Sequence, residues 1–151
     1  PSAGVGGARR GGAPPATPPS PAVAGAAHDL FVTKHVNSAF YGRPDLHAWL
    51  SRRAVRQLVV TGIQTNQCAE TTARMAGNLG YDVLFVLDAT HTFDLRGRDG
   101  AVVPAEELAR VTAVNLHGGG FARVVSTDEV LAMAGPVPES AQSSPPAAAQ
   151  G

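Results

Sequence analysis

The sequence predicts an α/β domain in which a parallel sheet carries helices on both faces. Three observations lead there: short apolar runs alternate with stretches of helical periodicity, residues 83–87 (VLFVL) form the unbroken apolar run of a doubly buried strand, and residues 57–79 read as strand, turn and helix.

Residues 30–34 (LFVTK) read as a strand closing on Lys34. Asp45 is placed to cap a helix whose Leu46, Trp49 and Leu50 share one face, with Trp49 as core beneath it. A strand over 57–61 follows. A turn over 62–67 leads into a helix over about 68–79, stopped by Gly80. The strand of 83–87 ends at Asp88, where a strand-end aspartate reads as a cap for the following loop. Pro104 opens a helix carrying Leu108, Val111 and Leu116, broken by the glycines at 118–120. Residues 121–125 read as a last strand, and Ser126 with Glu129 as the capping box of a short final helix. In such a fold ligands gather at the carboxyl ends of the strands. Lys34, the turn before Cys68 and Asp88 are all expected at that edge.

This domain is expected over residues 28–134. The leader, 1–27, is nearly all Pro, Ala, Gly, Ser and Arg, a composition that buries too little apolar surface to offset ordering entropy. It and the Pro-rich tail, 135–151, are expected to be disordered.

Acidic and basic residues balance at twelve each without a like-charge run, which excludes an electrostatic footprint for nucleic acid or an anionic membrane. No apolar stretch approaches the roughly 20 residues of a membrane helix, and no apolar signal core follows Arg9 and Arg10. A cytoplasmic protein acting on a small molecule is the expectation. One cysteine precludes an internal disulfide, so Cys68 is either core filler or chemically employed. Lys34 is the only lysine against eleven arginines, which reads either as a site where a compact ammonium is needed or as chance.

A cysteine in the first turn of a helix faces unpaired backbone N–H groups and the positive end of the helix dipole, which favours the thiolate. Those amides, with one from the Gln64 region, could hold the oxyanion formed when sulfur attacks a carbonyl. Here the wording becomes specific. Residues 59–74 (VVTGIQTNQCAETTAR), together with KHVNSAFYG over 34–42, GYDVLFVLDAT over 80–90 and NLH over 115–117, resemble the isochorismatase-like cysteine hydrolases, the nicotinamidase and N-carbamoylsarcosine amidase relatives. The resemblance covers about residues 29–133.

It implies a three-layer α/β/α hydrolase fold and an Asp, Lys, Cys triad, with Lys34 and Cys68 as catalytic residues. It also implies a non-proline cis peptide between Ile63 and Gln64, turning the N–H groups of Gln64 and Cys68 toward an oxyanion. In that family the aspartate takes the thiol proton, the thiolate attacks an amide or related carbonyl, and water releases the acyl group. The presence of Cys68 leans toward C–N hydrolysis of an amide, carbamoyl or ureido compound.

One element departs from the family. Its aspartate ends a first strand of apolar-apolar-Asp type, and no such segment precedes Leu30; Asp29 lies before the lysine strand and does not inherit the role. The leader abutting a family-like core at Ala27 reads as unrelated sequence joined to an N-terminally truncated domain. An open sheet edge, with poor stability or aggregation, is expected. The alternative is a non-catalytic binding or assembly module on the same fold. Oligomers are expected by family analogy.

Cys68 and Arg74 have the spacing of a cysteine phosphatase loop, but Glu70 would set a carboxylate against a phosphate dianion. His28, His35, His47, His91 and His117 show no zinc spacing, so no metal or other cofactor is assigned. In the nicotinamidase branch the metal ligands lie between the first strand and the lysine. Phe40, Tyr41, His35 and His117 are the weaker candidates for a substrate pocket.

Overall fold

The computed structural model describes residues 28–135. The leader of 1–27, and the tail beyond Gly135, lie outside the described residues.

A three-stranded parallel sheet forms the centre, in the order β1 (Gln57–Ile63), β2 (Asp82–His91), β5 (Arg123–Val125). Gln57 to Val60 pair in register with Asp82 to Phe85; the register shifts beyond Val60, and Gly62 then pairs Thr90 and Ile63 pairs His91. Leu84 to Val86 pair Arg123 to Val125. Four helices accompany the sheet: α1 (Leu46–Arg52), α2 (Glu70–Asn78), α3 (Ala105–Gly118) and α4 (Thr127–Ala134).

The alternation of side chains along β2 builds three layers. Val83 and Phe85 face Ala73 and Ala76 of α2 and Leu116 of α3, while Leu84 and Val86 face Val125 and Val130 of α4. Residues 83–86 are almost entirely buried, as the unbroken apolar run predicts. Gly77 lets α2 approach the segment that leads into β5: a Cβ there would lie 2.5 Å from the Phe121 carbonyl oxygen.

The caps are those the sequence encodes. Asp45 Oδ1 accepts from Ala48 N at 2.9 Å, Pro104 precedes α3, and Ser126 and Glu129 form a reciprocal capping box on α4.

Four expectations fail locally. Residues 30–34 form no strand: Thr33 makes one antiparallel bridge to Arg43, with two 2.8 Å backbone bonds, and β propensity without a ladder partner does not extend further. Trp49 is only partly buried, with the Arg53 guanidinium 3.9 Å above its ring, and α1 gives Leu50 to the interior instead. Val111 is exposed because α3 is rotated to bury Thr112 and Leu116. Asp88 caps no following loop; its carboxylate accepts from Thr127 N at 2.9 and 3.1 Å and thereby anchors the start of α4. A hairpin also occurs that the apolar pattern does not reveal, β3 (Leu95–Arg96) with β4 (Val102–Val103), closed by Gly97 N donating to Ala101 O at 2.7 Å.

No described helix is long and apolar enough to cross a membrane.

Candidate active site

The site begins where β1 runs out. Gly62 adopts φ 111°, a conformation open to glycine and strained for other residues, and the next peptide bond, Ile63–Gln64, is cis. The chain then winds through a π-type turn, Thr65–Ala69, before α2 proper. Cys68 therefore lies in this wider turn and not in the first turn of a regular α-helix. The cause is visible in the hydrogen bonding: Gln64 O accepts from Gln67 N at 3.2 Å and from Ala69 N, five residues on, at 3.1 Å.

Side chains lock the turn to the extended end of β2. The Thr65 hydroxyl, buried, donates to Thr90 Oγ1 at 3.0 Å, and Thr90 donates to Leu87 O at 2.9 Å. Thr92, also buried, donates to Asn66 Oδ1 at 2.5 Å. Gln64 Oε1 is buried with no hydrogen-bond partner among the described residues.

The lysine arrives from the other side. Ser38 Oγ accepts from Phe40 N and caps the 3-10 turn Ala39–Tyr41, whose Ala39 N donates to Thr72 Oγ1 of α2 at 3.1 Å. That bond fixes the segment bearing Lys34 against the helix that follows Cys68. Lys34 Nζ donates to Cys68 Sγ at 3.3 Å and to Val36 O at 3.0 Å. Cys68 Sγ, partly buried, lies 3.8 Å from Asn37 Oδ1. Neither ion pair among the described residues involves Lys34, whose ammonium hydrogen bonds go to this sulfur and to Val36 O.

The structure thus brings Lys34, Cys68 and the Ile63–Gln64 turn together, and leaves the weaker candidates apart. Phe40 packs against the core and stacks on Tyr81, ring centroids 6.0 Å apart. Tyr41 is 72% exposed, and His35 is exposed as well. His117 lines a cleft with Asp82 and Arg123 at the amino ends of β2 and β5. It ends up there because α3 runs back across the sheet, so its last turn reaches the edge opposite Cys68. At that edge the Gln57 amide, donating at 2.6 Å, and the Arg123 guanidinium hold the Asp82 carboxyl below its ordinary range. Among the described residues no group of three or more His, Cys, Asp or Glu is placed to hold a metal ion.

Two features escaped sequence reading. Asn37 meets Cys68 across 31 residues, a contact no local spacing encodes. Glu70 accepts from Arg74 Nε and Nη2 at 3.0 and 2.8 Å and from the buried Thr112 hydroxyl at 2.7 Å, tying α2 to α3; the Glu-x-x-x-Arg spacing signals half of it.

Comparison with known proteins gives a consistent picture. The model of the isochorismatase domain family matches residues 3–116. Nicotinamidase 3 of Arabidopsis thaliana is 38% identical over 102 residues, which are 68% of this chain and 45% of that protein. The ureidoacrylate amidohydrolase RutB of Variovorax paradoxus is 43% identical over 63 residues, 42% of this chain and 25% of the relative. Among solved structures, a cysteine hydrolase from Pseudomonas syringae pv. phaseolicola superposes with TM-score 0.63 at 30% identity, covering 70% of this chain and 49% of the other. The chain spans about half the length of the curated relatives it matches over 100 residues or more.

Proposed function

The chain belongs to the isochorismatase family, and from that premise we propose that it is a cysteine hydrolase cleaving the C–N bond of a small amide, carbamoyl or ureido compound, with Cys68 as the nucleophile. The observation that carries this reading is the 3.3 Å contact between Lys34 Nζ and Cys68 Sγ, made by the only lysine and the only cysteine in the sequence. That contact seats the sulfur beside a fixed cation, and in such chemistry the thiolate is the attacking species. The relatives named for nicotinamide and ureidoacrylate chemistry support the class of bond.

In this reading the thiolate adds to the carbonyl carbon, and the carbonyl oxygen becomes an oxyanion received by backbone N–H groups of Gln64 and Cys68. The tetrahedral species collapses by breaking the C–N bond. The leaving nitrogen takes up the proton that the thiol gave up on ionising, and the acyl group stays on sulfur as a thioester. Water then adds to the thioester, releases the acid and returns the thiol. The family resemblance gives the first proton transfer to an aspartate at the end of a first strand; no carboxylate within ion-pair distance of Lys34 is found among the described residues.

The test is to incubate the protein with nicotinamide, an N-carbamoyl amino acid and a ureido acid, following ammonia release together with the intact mass. The proposal expects an acyl adduct on the wild type that Cys68→Ala abolishes, with or without turnover. Ammonia release that survives Cys68→Ala would reject the mechanism. Ligand binding without adduct or release would assign the fold to a binding module.

A further inference from the structure

Resting on the reading of Cys68 as the reacting sulfur, we propose that Asn37 is a positioning residue: its side-chain carbonyl accepts the Cys68 thiol hydrogen and turns it away from Lys34. The sulfur has two polar side chains of opposite character beside it. Lys34 Nζ, at 3.3 Å, can only donate; Asn37 Oδ1, at 3.8 Å, can only accept. A thiol carries one hydrogen and two lone pairs. Both contacts are satisfied together when the hydrogen points to Asn37 and a lone pair meets the ammonium.

The two residues belong to one short loop. Lys34 Nζ also donates to Val36 O at 3.0 Å, so the segment that presents the ammonium is drawn in next to the residue that presents the acceptor. Asn37 itself is exposed, and its contact with Cys68 is the one polar contact of its side chain among the described residues. It caps no helix and closes no turn, so folding does not account for its placement at the sulfur.

Hydrogen bonding to the neutral form of an acid opposes ionisation, whereas a neighbouring cation favours it. Asn37 and Lys34 therefore make opposite demands on the Cys68 sulfur, one as acceptor and the other as donor. The acceptor holds the resting proton on the side of the sulfur turned away from the ammonium.

The experiment is the rate of iodoacetamide labelling of Cys68 across the neutral and alkaline range in the wild type, Asn37→Ala, Asn37→Asp and Lys34→Met. Removing the acceptor frees the thiolate, so Asn37→Ala labels about twofold faster at neutral pH, the scale of one weak hydrogen bond. Asn37→Asp is isosteric and sets a carboxylate about 4 Å from the thiolate, so it labels about fivefold slower. Opposite signs from two changes at one exposed position separate this role from a general structural one. Slower labelling of Asn37→Ala would show that the amide donates to the thiolate, and an unchanged Asn37→Asp would show no contact; either overturns the proposal. Lys34→Met reads the underlying mechanism separately. If it slows labelling while the Asn37 variants match the wild type, only the Asn37 role fails; if the Asn37 variants shift oppositely while Lys34→Met does not, only the lysine's role in activating the sulfur fails.

Discussion

The buried end of Thr112 offers a sharp test of how the helix that follows the nucleophile is held. Thr112 is 1% exposed, and its hydroxyl donates at 2.7 Å to Glu70 Oε2, a carboxylate also gripped by Arg74. Thr112→Val keeps the shape and removes the donor, leaving a carboxylate oxygen short of a partner where little water reaches it. A hydrogen bond to a charged group contributes roughly 1.5 to 3 kcal/mol. The Glu70 side chain keeps 14% of its exposure and retains Arg74, so the lower half of that range applies and the loss is about 2 kcal/mol. With a urea slope of about 1.5 kcal/mol/M for a domain of this size, the unfolding midpoint falls by about 1.3 M. Pairing the change with Glu70→Ala, which removes the acceptor, in a double-mutant cycle isolates the contact. Because Thr112 does not touch Lys34 or Cys68, the labelling rate of the folded variant stays that of the wild type. A midpoint within 0.2 M of the wild type, an order-of-magnitude threshold below any charged hydrogen bond, would refute the reasoning.

Gly77→Ala drives a methyl group against the Phe121 backbone, which cannot rotate away; a loss of about 1 to 3 kcal/mol in denaturant unfolding is expected, and no change would mean that α2 and the Phe121 segment are not in contact. Asp82→Asn tests linkage at the far edge of the sheet. The Asp82 carboxyl lies below its ordinary value of 3.8, so its stabilisation is present above that value and is lost as pH falls through the lowered folded value. The variant should be slightly less stable than the wild type near neutrality and converge with it in acid; as the pair is exposed the difference is small, and an increasing gap at low pH would contradict the assignment. Val59 and Ile63 are 50% and 62% exposed on β1, one of the two edge strands of the three-stranded sheet among the described residues. Replacing both with Lys should reduce concentration-dependent light scattering without lowering the unfolding midpoint, whereas unaltered scattering would place self-association elsewhere.

Much of this architecture was legible because its signals are local. The unbroken apolar run over 83–87 specifies a central strand whatever surrounds it, and Asp45, Pro104 and Ser126 announce helix starts within three or four residues of themselves. Elements that depend on distant partners read less well. Residues 30–34 have strand-forming side chains, yet a strand is a paired object and only Thr33 finds a partner. The face of α3 was misread at Val111 because Thr112 is buried by its bond to Glu70, 42 residues away, which no hydrophobic pattern records.

The site divides in the same way. Cys68 and Lys34 stood out as single residues of their types, and family resemblance joined them to the Ile63–Gln64 turn. The π-type turn around Cys68 was not legible, since one extra residue in a turn leaves the apolar spacing of α2 unchanged. His117 lies at the edge opposite Cys68 for a topological reason: a motif that follows a family's order along the chain does not say at which edge of the sheet a helix ends.

Whether the fold makes Cys68 a nucleophile through Lys34 is decided by comparing iodoacetamide labelling of the native protein with that of the urea-unfolded chain at the same neutral pH. Cys68 is the only thiol, so every adduct reports on this one sulfur. Faster labelling in the native state despite partial burial is the expected result if the Lys34 contact at 3.3 Å activates the sulfur. Slower labelling in the native state would contradict it, and would mark Cys68 as a sheltered core residue.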